Sequence, residues 1–147
     1  MNTYLPHHTP AFSMSVLCIA LAVAVPALGA SSNNWPPELS QGVVAYRSGG
    51  IGQDEASAMQ SAAGQYPLEL EFVARESGGH EAFVADVDVS ILDSGGRQVL
   101  QTMAEGPFLL ARLPVGRYTV VATYDGAQRE RSVSIPARGS EHIVITW

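Results

Sequence analysis

Lysine is missing from this chain, and cysteine nearly so. All eight basic residues are arginines, and the single cysteine, Cys18, sits in an apolar run near the start. Beyond that run there is no thiol, which excludes a disulfide and a thiolate metal site from the rest of the chain. Positive charge is also short: eight arginines face fourteen acids, a net charge of −6. The arginines are scattered singly apart from Arg129 and Arg131. An acidic chain without a basic stripe lacks the electrostatic footprint of a nucleic-acid binder, so nucleic acid is set aside as a partner. Histidine is scarce, and only His80 and His142 lie outside the N-terminal segment. No nucleophile elbow of the G-x-S-x-G kind occurs. Gly49-Gly50-Ile51-Gly52 opens a helical pattern, but Asp54 and Glu55 follow where a phosphate loop needs Lys.

Long apolar runs are missing too. Val16–Val25 is ten residues long, against about 20 for a bilayer span. Pro26, the small residues Ala27, Gly29 and Ala30, and then polar Ser31 to Asn34 follow it. That succession reads as the apolar core and cleavage zone of a signal peptide over residues 1–30, cut near Gly29 or Ala30. It predicts export to the periplasm or beyond, with no stable membrane span once the leader is removed.

What is there is mostly β-periodic. Residues 31–50, rich in Ser, Asn, Pro and Gly, read as a linker, disordered to about Pro37, with one short strand at Val43–Arg47. Within residues 51–65, Asp54 and Glu55 fall in a first turn, Ala56, Met59 and Ala63 share a face, and Gly64 ends the pattern. This predicts one short helix over Gln53–Ala63. From residue 66 the period becomes two. Leu68, Leu70, Phe72 and Ala74 alternate with Glu69, Glu71, Val73 and Arg75, and Phe83 to Leu92 reads as one alternating strand. Turn signals separate further strands at Arg97–Met103, Phe108–Leu113, Arg117–Tyr124, Gln128–Ile135 and Glu141–Trp147. Asp125-Gly126 is the strongest hairpin signal, because its residues tolerate the positive φ of a tight primed turn. The expected fold is all-β, a single antiparallel β-sandwich of about seven strands over residues 66–147.

The stretch Phe108-Leu-Leu-Ala-Arg-Leu-Pro-Val-Gly-Arg-Tyr-Thr-Val120 resembles the signature of carboxypeptidase regulatory-like domains, in which a strand ends at Leu-Pro-x-Gly and an aromatic opens the next. Val87 to Arg97, an apolar strand running into Asp93-Ser94-Gly95-Gly96, resembles the same family's Asp-x-x-Gly segment. The resemblance covers about residues 67–147. It implies a prealbumin (transthyretin)-like or starch-binding-domain-like sandwich serving as a non-catalytic accessory module, with Leu113, Pro114, Gly116 and Tyr118 as its structural signature. Pro114 fixes φ, Gly116 frees the reversal, and the Tyr118 hydroxyl is expected to cap the corner's backbone.

Several residues are candidates for function. Aromatic faces stack on sugars and anchor peptides, which nominates Trp35, Tyr46 and Tyr66 as a ligand or partner surface, with Tyr124 and Trp147 behind them. Trp147 shares a face with Ile143 and Ile145 and reads as core. His80 with Asp86 and Asp88 could hold a cation if the two aspartates project from one strand face, although alternating acids more often form a solvated face. Val84 and Leu92 share that face, and the helix is expected to cover part of it. Arg129 and Arg131 read as guards on an edge strand or as a carboxylate patch. The reading is an exported accessory module without enzymatic activity, metal or cofactor, binding an envelope protein or, alternatively, a glycan. A metal-dependent site around His80, Asp86 and Asp88 is the third alternative.

Overall fold

A computed structural model describes residues 35–147; the signal peptide and cleavage site expected from the sequence lie outside them. In chain order the elements are β1 (Leu39–Gln41), β2 (Val44–Gly49), α1 (Gln53–Ala63), β3 (Leu68–Arg75), β4 (Glu81–Phe83), β5 (Val87–Asp93), β6 (Gln98–Ala104), β7 (Phe108–Arg112), β8 (Gly116–Tyr124), β9 (Ala127–Ile135) and β10 (Glu141–Thr146). The fold is all-β with one helix and two sheets. The first sheet has six strands, ordered β1-β2-β7-β3-β10 with β4 also paired to β3; the second has four, ordered β6-β5-β8-β9.

The alternating positions form the core between the sheets. Leu68, Leu70 and Phe72 of β3 meet Val87, Val89 and Ile91 of β5 and Val120 and Ala122 of β8 in one buried cluster. Helix α1 has the predicted bounds, with Asp54 and Glu55 in its first turn. It lies on the other face of the first sheet, where Met59, Ala62, Ala63 and Tyr66 close over Phe108 and Leu110 of β7. It packs mainly on β7 and β2 of the first sheet, and its first residues border a groove with Val84. β8 and β9 turn through Asp125 (φ 46°) and Gly126 (φ 76°), with Tyr124 opposite Ala127. That is the expected two-residue primed hairpin. The Tyr118 hydroxyl donates to the Pro114 carbonyl at 2.9 Å, as the signature predicts. Asp93 holds its turn by accepting from the Gly95 and Arg97 N–H groups at 2.9 and 3.0 Å.

The structure departs from the sequence expectations in four places. The described residues form ten strands, eight of them within residues 66–147 where about seven were expected. Phe83–Leu92 is two elements: Asp86 adopts a φ of 57°, which ends the pleat, so β4 pairs with β3 in one sheet and β5 joins the other. β10 runs parallel to β3, from Glu141 opposite Leu68 to Thr146 opposite Val73, so the sandwich is not wholly antiparallel. The segment read as a linker supplies, besides the short strand expected at Val43–Arg47, which is β2, a further strand β1, and β2 lies inside the sheet between β1 and β7.

A close approach of backbones fastens β2 to the turn before β7. A Cβ on Gly106 would lie 2.4 Å from the carbonyl carbon and oxygen of Gly49, closer than packed atoms tolerate. Gly106→Ala is expected to destabilise the protein by about 1–3 kcal/mol. Gly64 has open space around it and a helical φ of −63°, so Gly64→Ala should be neutral or stabilising by up to about 1 kcal/mol. Urea unfolding of the two variants reads the opposite signs.

Candidate functional site

The outward faces of β2 and β7 carry two arginines. Ala45 pairs with Arg112 and Arg47 with Leu110, so the two guanidiniums rise from diagonal positions on neighbouring strands. Each lies on an aromatic ring: Arg47 over Trp35 at 4.8 Å from the centroid, and Arg112 over Tyr66 at 4.2 Å. Such stacking holds a guanidinium flat and leaves its edge free to donate. These four residues, with Asp54, Ala58, Ser61 and Ala62 of α1 and Gln65 just after it, line a groove of about 560 Å³.

One carboxylate sits between the cations. Glu38 Oε2 accepts from the Tyr66 hydroxyl at 2.5 Å and lies 3.6 Å from the Nε of both Arg47 and Arg112. Arg47 Nε donates to the Tyr66 oxygen at 2.7 Å, and its Nη1 donates to the Pro36 carbonyl. Arg112 Nη1 donates to the Gln65 carbonyl at 2.9 Å. The Tyr66 hydrogen bond, reinforced by both arginines, holds the Glu38 carboxyl below its ordinary value of 4.5. Burial, then the same carboxylate, pushes the Tyr66 phenol up. Both shifts run away from neutrality, so neither group is poised for proton transfer near pH 7.

A second groove, about 540 Å³, opens at the N-terminal end of α1 between Gly50–Gln53, Ala56, Phe83–Ala85 and Pro107. Its lining is mainly apolar. Ile51 is 64% exposed and Phe83 58%, with the Phe83 ring leaning on Phe108 at 5.5 Å. Further along the first sheet, His142 Nε2 pairs with Glu71 at 3.0 Å, and burial pushes the neighbouring Glu69 carboxyl up.

The expected aromatic surface is mostly interior. Tyr46, 9% exposed, packs in the sandwich core, and Tyr66, 2% exposed, packs under α1. Only Trp35 of that trio is partly exposed; it and the buried Tyr66 both line the arginine groove. Strand alternation explains Tyr46, which points inward between outward-facing Ala45 and Arg47. Trp147 packs at the core's edge, as read, and its indole N–H donates to the Ala127 carbonyl at 2.6 Å. The shared strand face expected for Asp86 and Asp88 does not exist, because Asp86 precedes β5 in a left-handed conformation. No group of three or more His, Cys, Asp or Glu residues among the described residues, His80, Asp86 and Asp88 included, is placed to hold a metal ion. Leu113, Pro114, Gly116 and Tyr118 form the corner and serve the fold. Arg129 spans the sheets, donating to the Thr146 carbonyl at 3.1 Å. Sequence reasoning missed Glu38, Arg47 and Arg112: alternation places both arginines outside, but only the long-range pairing of β2 with β7 makes them neighbours.

No protein-family model matches the chain, and no curated protein matches it significantly. Among the described residues no helix is long and apolar enough to cross a membrane.

Glu38 links this site to pH. A carboxyl whose folded pKa is depressed stabilises fully above its ordinary value, and that contribution fades as pH falls through the folded value. The Tm of wild type is expected to exceed that of Glu38→Gln near pH 7, and the gap to close as pH drops below about 4. Thermal melts across that range check it.

Proposed function

We propose that this protein is an exported, non-catalytic accessory module of the carboxypeptidase regulatory-like type, and that it binds a protein of the cell envelope. The observation that carries the reading is the apolar groove at the start of α1, flanked by the exposed side chains of Ile51 and Phe83. Large apolar groups left in water beside a concave apolar wall are the usual mark of an anchor site for a partner side chain. The occupant that fits is an apolar protrusion on a protein surface, since the groove's lining carries no charged side chain. The two-sheet fold and the Tyr118-to-Pro114 corner support the accessory-module class. A glycan partner finds less support: Tyr46 and Tyr66 are buried, and the Tyr124 and Trp147 rings are tilted by 59° rather than forming a flat platform.

Capture from envelope extract tests the proposal. Wild type is expected to retain a protein whose affinity, remeasured with the purified partner, falls about thirtyfold or more in Ile51→Ser combined with Phe83→Ser. Equal retention by that variant, or retention of glycan alone, would overturn it. Circular dichroism of the variant establishes that the fold is intact.

A further inference from the structure

The Arg47–Arg112 groove lies apart from the apolar groove and has its own chemistry. We propose that it is a recognition site for a carboxylate-bearing ligand, and that Glu38 is its tethered occupant. Three observations converge. The two guanidiniums are oriented by aromatic rings at 4.8 and 4.2 Å rather than by acidic partners on their own strands. They and a phenol hydroxyl converge on a single carboxylate oxygen, the Glu38 Oε2, at 3.6, 3.6 and 2.5 Å. That carboxylate comes from the exposed segment just before β1, a strand of three residues that is exposed throughout. A carboxylate is thus already bound where two arginines and a hydroxyl meet, on an exposed segment at the sheet's edge.

The Glu38 pairing leaves capacity unused. Its closest contacts with both arginines are at Nε and 3.6 Å long, beyond the paired, parallel hydrogen bonds that a guanidinium and a carboxylate form at their best. Arg112 spends Nη1 on the Gln65 carbonyl, and its side chain remains 46% exposed toward the groove. The one acid in the groove's lining, Asp54, forms no ion pair among the described residues; Glu38 reaches the same two arginines without lining the groove itself. An incoming carboxylate that displaces Glu38 gains the Tyr66 hydroxyl and both cations, with Trp35 beside it as an apolar wall. Glu38 opposes it as a linked competitor, acting at an effective concentration on the order of millimolar. Two sources present this chemistry, a peptide C-terminus and an acidic side chain.

Glu38→Gln removes the competing charge while keeping the shape and a hydrogen-bond acceptor for Tyr66. Three short peptide probes serve: one with a free C-terminal carboxylate, the same peptide amidated, and an amidated peptide carrying one internal Glu. Binding is followed by NMR shifts of the Trp35 indole. Glu38→Gln is expected to bind a carboxylate-bearing probe about tenfold or more tighter than wild type. It should ignore the fully amidated peptide and lose binding when Arg112→Gln is added. The preferred acidic probe identifies the source. A Glu38→Gln protein that does not distinguish acid from amide overturns the proposal. Should that variant fail to fold, an acid-specific shift in wild type that Arg112→Gln abolishes supports the site, and no acid-specific shift in wild type refutes it. Neither result depends on Ile51 or Phe83.

Discussion

The structure depends on burying β7 from both sides. Phe108, Leu109, Leu110 and Ala111 are all buried, which in a strand means that each face needs its own cover. Leu109 and Ala111 point into the sandwich, and Phe108 and Leu110 point out. The second sheet covers the inward pair. Helix α1, with Tyr66 just after it and the Phe83 ring beside Phe108, covers the outward pair, which explains why a helix is inserted between β2 and β3 of a β-protein. The helix is weakly amphipathic and has no side-chain N-cap. It is held by this contact more than by its own propensity.

The same constraint creates the grooves. A helix with its side chains is about 10–12 Å across, and strands lie about 4.8 Å apart, so one helix shelters about two strands of a wider sheet. Helix α1 sits over β7 and β2. The uncovered outer face of β3 and β10 carries Glu69, Glu71 and His142, which water and mutual pairing satisfy. Where the helix ends or falls short, the sheet's outward residues line concavities: the two arginines along one flank, and Pro107 with Phe83 at the N-terminal end. Among the described residues no buried side-chain nitrogen or oxygen lacks a partner. The Glu38–Tyr66–Arg47 set therefore closes the hydrogen bonds of a phenol that would otherwise be costly to bury.

Local signals were legible in the sequence, and non-local ones were not. Helix bounds, the Asp125-Gly126 hairpin and the Tyr118 corner each depend on residues within a few positions of one another, so propensity and turn chemistry determined them. The split of Phe83–Leu92 was hidden because its apolar alternation continues through the break, and only the backbone of Asp86 reveals it. The parallel β10–β3 pair joins residues about seventy positions apart, and parallel pairing leaves no mark on alternation. Tyr66 was read as surface because aromatic faces stack on sugars and anchor peptides. Its burial depends on Glu38 and Arg47, 28 and 19 positions away, which no local pattern brings together.

Edge control completes the logic of the arginines near the end of the chain. β9 pairs with β8 on one side only. Its first residues are sealed by the C-terminal segment, through Arg129 to the Thr146 carbonyl and the Trp147 indole to the Ala127 carbonyl. Arg129 and Arg131 each also donate to the carbonyl of the preceding residue. If a second copy paired with β9 about a two-fold axis, faces would have to match, so residues of even summed number would stand opposite each other. Centred on Arg131 or Glu130, that register sets like charge against like; centred on Ser132, it sets Arg131 against Val133. None of these registers is favourable. The two arginines thus suit the edge-guard reading, and the guanidiniums that line a groove are those of Arg47 and Arg112.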